Sequence, residues 1–292
     1  MLKQSIWFLI SCLFALPAWA NLRYYGASIE NSDWSITQYS PIICEMTHTI
    51  PRLGNVYFTS EARKTPNMTF TMEMMVKPRH VTPVKLVSHA PLWRPGVTDQ
   101  HLLDLKFQRA RNPEISERVA WIMLNELELG MEPTFFFNDW NNPKDKVAIG
   151  LSPVDFNINY AEFKNCLVNL LDYSLKDFSF MTLFFSRGSE LTPESYNKFE
   201  KLKRYLLYDN VIHRVHIDSY TDGYGGLRAN KRVARARAKL IKDIFIEFGV
   251  SASKIVVKTH AKKRFVGKNS TLSERLKNRR VVLRVVPMSD EF

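Results

Sequence analysis

The sequence predicts an α+β protein of two domains. A β-rich N-terminal domain with two flanking helices comes first, and a C-terminal α/β sandwich follows. Three observations predict this. Residues 34–87 hold β-branched and aromatic runs punctuated by Pro, Gly and Asn. Residues 180–286 alternate strand-like and helix-like stretches. The charge also changes sign along the chain. Residues 21–175 carry 15 basic and 17 acidic side chains, whereas residues 176–292 carry 25 and 12. The formal net charge of +12 therefore belongs wholly to the second part. With 292 residues, 45% of them apolar, the chain is long enough for two ordinary cores.

Residues 1–20 read as a secretory signal peptide. Lys3 supplies the positive start, Ile6 to Leu16 the short apolar core, and Ala18-Trp19-Ala20 the small-x-small cleavage site after Pro17. The rival reading is a lipoprotein box at Leu9-Ile10-Ser11-Cys12, but the apolar stretch before Cys12 is short for that. An exported chain argues against nucleic acid as the partner of the basic half. Two cysteines then remain, Cys44 and Cys166. An even pair in an oxidising compartment favours a disulfide, with two separately buried thiols as the alternative.

The N-terminal domain is expected over residues 21–175. Strands are expected at Trp34–Tyr39, Ile42–Thr49, Val56–Thr59, Met68–Val76 and Val84–Val87. Thr69, Thr71 and Glu73 alternate with Met68, Phe70, Met72 and Met74, the period of a half-buried strand. A helix is expected over Pro113–Leu129, with Asn112 as cap and Gly130 as stop. Its stripe is Ile115, Val119, Ile122, Met123 and Leu127. A second helix is expected over Tyr160–Tyr173, with Phe163, Cys166, Leu167, Leu170 and Leu171 on one face. Cys166 then points inward, toward a strand bearing Cys44.

The C-terminal domain is expected over residues 176–292. Strand Phe180–Phe185 precedes a helix opened by Thr192-Pro193-Glu194 and running to Tyr208. Strand His213–Ser219, a Gly-rich turn, a long helix to Phe248, strand Ile255–Thr259, a short helix and strand Arg280–Val286 complete it. Helices are expected on one face of the sheet.

The long helix carries the main functional signal. At about 100° per residue, Val233, Leu240, Ile241, Ile244 and Phe248 fall within about 60° of Arg237. Asn230 lies on the same side, two turns earlier. Arg228, Lys231, Arg232, Arg235, Lys239 and Lys242 fall on the opposite face. A guanidinium on an apolar side is costly unless an anion and hydrogen bonds meet it. Thr221-Asp222-Gly223-Tyr224-Gly225-Gly226 precedes the helix, and its glycines permit a tight turn with exposed N–H groups. Asp222 is expected to face Arg237 across a small polar pocket. Such a pocket suits a zwitterion, with the acid on an ammonium and the guanidinium on a carboxylate. On the residues alone, a closed structural Asp–Arg pair and a ligand pocket stand level.

These same residues carry a resemblance. Thr221-Asp222-x-x-Gly225, then Asn230, Arg237-Ala238 and Asn278-Arg279-Arg280-Val281 resemble the OmpA C-terminal family. Phe184 and Leu191-Thr192-Pro193 fit its opening strand and helix. The resemblance implies an OmpA-like sandwich that binds peptidoglycan through the diaminopimelate of the stem peptide. It implies that Asp222 takes the ammonium and Arg237 a carboxylate, with Thr221, Asn230, Asn278 and Arg279 completing the pocket. Ser219-Tyr220 replaces the family's Gly-His, and Val233-Ala234 its Leu-Ser.

Across the rest of the chain, Cys44-Glu45-Met46-Thr47-His48-Thr49-Ile50-Pro51, Trp93-Arg94-Pro95-Gly96, Pro133-Thr134-Phe135 and Cys166 with Tyr173-Ser174 resemble the MotY family of the sodium-driven polar flagellar motor. That resemblance implies a periplasmic chain whose N-terminal domain joins a MotX-like protein and the flagellar basal body in a ring. It implies help for PomA/PomB-type stator units assembling around the rotor, and an intramolecular disulfide. The alternative is a general OmpA-like envelope linker with no flagellar role.

Enzyme chemistry finds no motif. There is no HExxH, Gly-x-Ser-x-Gly or Walker A pattern, and the seven histidines are scattered. No metal, cofactor or catalytic residue is expected. His213 and His216 stand at odd spacing on one strand and face opposite sides. Ser186-Arg187-Gly188-Ser189 reads as a loop, and Phe135-Phe136-Phe137 as core. Trp93, Trp140 and Tyr24-Tyr25 are weak candidates for protein contacts.

Overall fold

A computed structural model describes residues 22–65, 67–209 and 212–287. The signal reading of residues 1–20, with Cys12, lies outside them. The N-terminal part opens with β1 (Leu22–Tyr25), β2 (Trp34–Tyr39), β3 (Ile43–Ile50), β4 (Gly54–Glu61) and β5 (Thr69–Met74). It continues with β6 (Thr82–His89), β7 (Gln100–Phe107), β8 (Glu114–Ile115) and α1 (Glu117–Glu128). It closes with β9 (Glu132–Asn138), β10 (Lys146–Gly150) and α2 (Phe156–Val168). The strands form two sheets, in the orders β2-β3-β4-β5-β8 and β1-β10-β9-β6-β7.

Alternation builds the shared core. On β3, Cys44, Met46, His48 and Ile50 face inward, while Glu45, Thr47 and Thr49 face out. Buried rings then bridge the two sheets. Phe70 of one lies 5.8 Å from Phe135 of the other, and Phe135 lies 5.8 Å from Phe107. Phe135 and Phe137 are core, as the sequence leads one to expect, and Phe136 on the alternate side of β9 meets His89.

Two helices begin elsewhere than the sequence indicates. Pro113 does not open α1, and Asn112 does not cap it. Pro113 accepts a backbone bond from Met72, Ile115 pairs with Phe70 in β8, and Ser116 is the residue that precedes the helix. Sheet pairing thus claims the residues that local helix-start chemistry marked. Gly130, at φ 74°, does stop the helix. The second helix begins four residues earlier than expected, after Asp155 at φ 60°, and ends at Val168. Its tail is drawn off because Leu171 donates its N–H to Pro41 and packs in the second core. Strands β1, β7, β9 and β10 carry no clean alternation. β9 is buried on nearly every residue from Glu132 to Phe137.

Cys44 and Cys166 form a disulfide that ties β3 to α2, with Cα atoms 5.9 Å apart and both residues fully buried. Reaching from a strand to a helix, it closes a loop of 122 residues.

The C-terminal part comprises β11 (Phe180–Phe184), α3 (Pro193–Leu206), β12 (Ile212–Tyr220), α4 (Leu227–Glu247), β13 (Ile255–Ala261), α5 (Leu272–Asn278) and β14 (Arg280–Pro287). The sheet order is β11-β14-β12-β13, with β12 and β13 parallel and the other pairs antiparallel. The Thr192 hydroxyl caps α3 by accepting from the Ser195 N–H. Helices α3 and α4 bury Phe199, Leu202, Ala238, Ile241 and Phe245 among Leu183, Val215, Ile217, Val281 and Leu283. Ala62, Leu171 and Tyr173 join this second core, so the two parts abut through apolar contacts.

Candidate functional site

The inward side of α4 differs slightly from the expected stripe. Its buried residues are Asn230, Ala234, Arg237, Ala238, Ile241 and Phe245. Arg237 stands at the edge of this stripe instead of its middle, and Leu240 is 37% exposed. Arg237 is nonetheless only 2% exposed, the inward guanidinium that the periodicity indicates.

Its partners are a surprise. Arg237 donates Nε–H to the Gly188 carbonyl at 2.6 Å and Nη1 to the Tyr220 carbonyl at 3.1 Å. Its guanidinium stacks 4.7 Å above the ring of Phe185. Asp222 pairs instead with Arg279, whose Nε lies 2.7 Å from Oδ2. Among the described residues no ion pair joins Asp222 to Arg237, although the Asp222 charge acts on Arg237 through space. The reason is local. Arg279 leaves the end of α5 directly into β14, beside the end of β12, and reaches Asp222 first. Its Nη1 also donates to the Ser186 carbonyl at 2.7 Å.

The cluster therefore holds two guanidiniums and one carboxylate. Burial pulls the pKa of Arg237 down to about 10, the Arg279 charge pulls the same way, and Asp222 opposes both. Arg237 stays charged at neutral pH, so the cluster keeps one uncompensated positive charge.

The remaining expected residues build the frame around this cluster. Thr221 continues the sheet edge by donating its N–H to Ala261, and its hydroxyl is buried without a partner among the described residues. Asp222 Oδ1 accepts the Tyr224 N–H at 3.2 Å, a side-chain turn that opens the loop. Gly225 takes φ 85°, which glycine adopts at little cost. The Asn230 amide donates to the Tyr224 and Gly226 carbonyls at 2.8 and 3.2 Å, closing the turn onto α4.

Asn278 is fully buried and its side chain is spent on protein. Its Oδ1 accepts from Val266 and Gly267, while Nδ2 donates to the Gly267 carbonyl and to Asn269 Oδ1. Asn269 Oδ1 also accepts the Gly223 N–H at 2.8 Å. Asn278 and Asn230 thus hold loops in place around Asp222.

Sequence reasoning missed two contributors. Asn269, at φ 69°, bridges the loop after β12 to the loop before α5. The Ser186–Ser189 loop supplies the carbonyls that grip both arginines. Backbone carbonyls leave no mark on residue type, although Gly188, at φ 44°, is a trace of that turn.

Beside the site, Tyr220 stacks with His260 at 4.7 Å, and the Arg280 guanidinium lies 4.0 Å over the Tyr220 ring. His260 Nε2 lies 2.6 Å from Asp218 Oδ1. Trp93 is 47% and Tyr24 44% exposed, while Trp140 stacks on Phe137. No described helix is long and apolar enough to cross a membrane.

Comparison with known proteins follows this division of the chain. Residues 25–172 match the MotY N-terminal domain, and residues 183–279 match the OmpA family. The sodium-type flagellar protein MotY of Vibrio parahaemolyticus is 32% identical over 262 residues, covering 89% of each chain. The outer-membrane lipoprotein YfiB of Pseudomonas aeruginosa is 33% identical over 105 residues, covering 36% of this chain and 61% of that protein. The solved peptidoglycan-associated lipoprotein of Burkholderia pseudomallei is similar at 18% identity and a TM-score of 0.31, over 36% of this chain and 88% of that one. Both matched families are structural and non-enzymatic. With the N-terminal match over half the chain and the full-length relative beside it, the chain belongs to the MotY family of flagellar motor proteins and carries an OmpA-family domain.

Proposed function

We propose that this protein is a periplasmic, non-enzymatic anchor of the flagellar motor. Its C-terminal domain, residues 176–292, binds peptidoglycan through a diaminopimelate of the stem peptide. Its N-terminal domain, residues 21–175, meets a MotX-like protein and the basal body, and the assembled ring helps PomA/PomB-type stator units anchor around the rotor.

One observation supports the wall-binding reading most. Just past the end of β12 the single carboxylate of Asp222 is bonded by Arg279, and a second guanidinium, Arg237, is close enough to feel both charges. The surplus positive charge suits an incoming carboxylate, and Asp222 suits the neighbouring ammonium. Arg279, 19% exposed against 2% for Arg237, is the nearer donor, and the Arg237 charge lies behind it. Thr221, Asn230 and Asn278 hold the surrounding turns.

The test is co-sedimentation of the full chain with purified sacculi. Asp222→Asn and Arg279→Gln should each abolish most of the pelleting while circular dichroism stays unchanged. Folded variants that pellet fully remove the assignment. For the motor reading, deletion of the gene should leave a flagellum that does not rotate, and a normally swimming deletion strain overturns it.

A further inference from the structure

The outer side of α4 has a charge pattern that works against its own helix. Arg228, Lys231, Arg232, Arg235, Lys239 and Lys242 all fall within a sector of about 100°, along about 21 Å of helix. All six point away from the buried side, and all but the half-buried Lys242 are exposed. Lys239 alone has an acidic partner, Asp243 one turn on. The other five make no ion pair among the described residues.

The spacing sets like charges on neighbouring turns, at 228/232, 231/235, 235/239 and 239/242, each mildly unfavourable. Arg228 stands in the first turn of α4, where the helix dipole is already positive, and no acid lies in that turn. Such a row does not favour the helix, and a row of anions from outside would complement it.

The geometry narrows the source of those anions. A helix that settles into a lipid interface needs a free apolar side. Here that side is consumed, because Ala234, Ala238, Ile241 and Phe245 are buried against the sheet. The row begins in the first turn of α4, directly after Gly226, so it runs on from the loop that carries Asp222.

We propose that the outer side of α4 is a second, salt-sensitive contact for peptidoglycan. It pairs with the free carboxylates of stem peptides next to the one held at Asp222. This rests on the wall-binding reading above. The buried site selects the residue, and the exposed row adds electrostatic attraction along the strand.

The full chain tests this with purified sacculi at low salt and at about 1 M salt, where the screening length falls to ~3 Å. The combined variant Lys231→Gln, Arg232→Gln, Arg235→Gln and Lys239→Gln should bind about tenfold more weakly at low salt, four exposed pairs each contributing little. It should match the wild type at high salt, and soluble diaminopimelate should still displace it. Equal affinity and equal salt response in variant and wild type overturn the second contact, as does loss seen only on phosphatidylglycerol vesicles. If the wild type pellets and Asp222→Asn does not, the wall-binding reading survives whichever way the α4 variant behaves. A wild type that fails to pellet overturns both.

Discussion

The carboxylate of Asp222 accepts the Nε–H of Arg279 at 2.7 Å, and both charges of this pair act on the buried Arg237. The pair is mostly buried, with side chains 8% and 19% exposed. Breaking such a pair leaves a charge without its partner, which costs more than the intact pair contributes.

This asymmetry predicts a difference between two substitutions. Asp222→Asn leaves two guanidiniums facing each other without a carboxylate, so it should lower the melting temperature as well as wall binding. Arg279→Gln removes one of the two positive charges and relieves Arg237, so wall binding should fall with less loss of stability. Differential scanning calorimetry of the two variants beside sacculus pelleting checks the ordering.

Asn278 predicts a purely structural effect. Its side chain makes four hydrogen bonds to one loop and is fully buried. Asn278→Ala orphans the N–H groups of Val266 and Gly267, at a cost of about 2–4 kcal/mol. Urea unfolding should show the loss, and Asn278→Asp should recover part of it because both backbone donors regain an acceptor.

The disulfide predicts a redox-dependent loss. Closing a loop of 122 residues corresponds to about 4–5 kcal/mol in the chain-entropy treatment. Cys44→Ser should reduce stability by that order against the oxidised wild type in guanidinium unfolding. With reductant present, the two proteins should unfold nearly together. An equal deficit under both conditions would assign the effect to packing.

His48 predicts a pH effect on the N-terminal domain. It is fully buried, stacks on Trp34 at 4.4 Å and bonds the Asp33 carbonyl through Nδ1. Its Nε2 has no partner among the described residues, and burial lowers the pKa from 6.5. The unfolded chain therefore binds a proton more readily than the folded one. The contribution to stability is full above 6.5 and is lost as pH falls from there through the lowered folded value. Trp34 fluorescence during unfolding from pH 8 to pH 5 should report a falling midpoint, and His48→Phe should flatten that part of the profile.

The C-terminal elements were legible because each carries its own local signal. Thr192-Pro193 opens α3, three glycines precede α4, and the strand between them sets apolar Ile212, Val215 and Ile217 among polar residues. The N-terminal sheets were legible only where residues alternate. The strand over Glu132–Asn138 is buried on both sides, and Pro113 serves a sheet although it looks like a helix start. In the site, Arg237 was legible because a charge on an apolar stripe stands out. Asn269 and the Gly188 carbonyl were not, since one is an ordinary polar loop residue and the other is backbone.

By itself, then, the sequence determined the division of charge, the strand–helix alternation of the second part, the inward turn of Arg237 and the cysteine pair available for a bridge. These follow from periodicity and composition, which act over a few residues. The tertiary structure decided the pairings. Which guanidinium reaches Asp222, which residues Asn278 fastens, and where the chain passes from α2 into the second core depend on segments far apart in sequence, such as Arg279 with Ser186 and Leu171 with Pro41, meeting in space. Only the sheet register, bringing the start of β14 beside the end of β12, sets Arg279 within reach of Asp222.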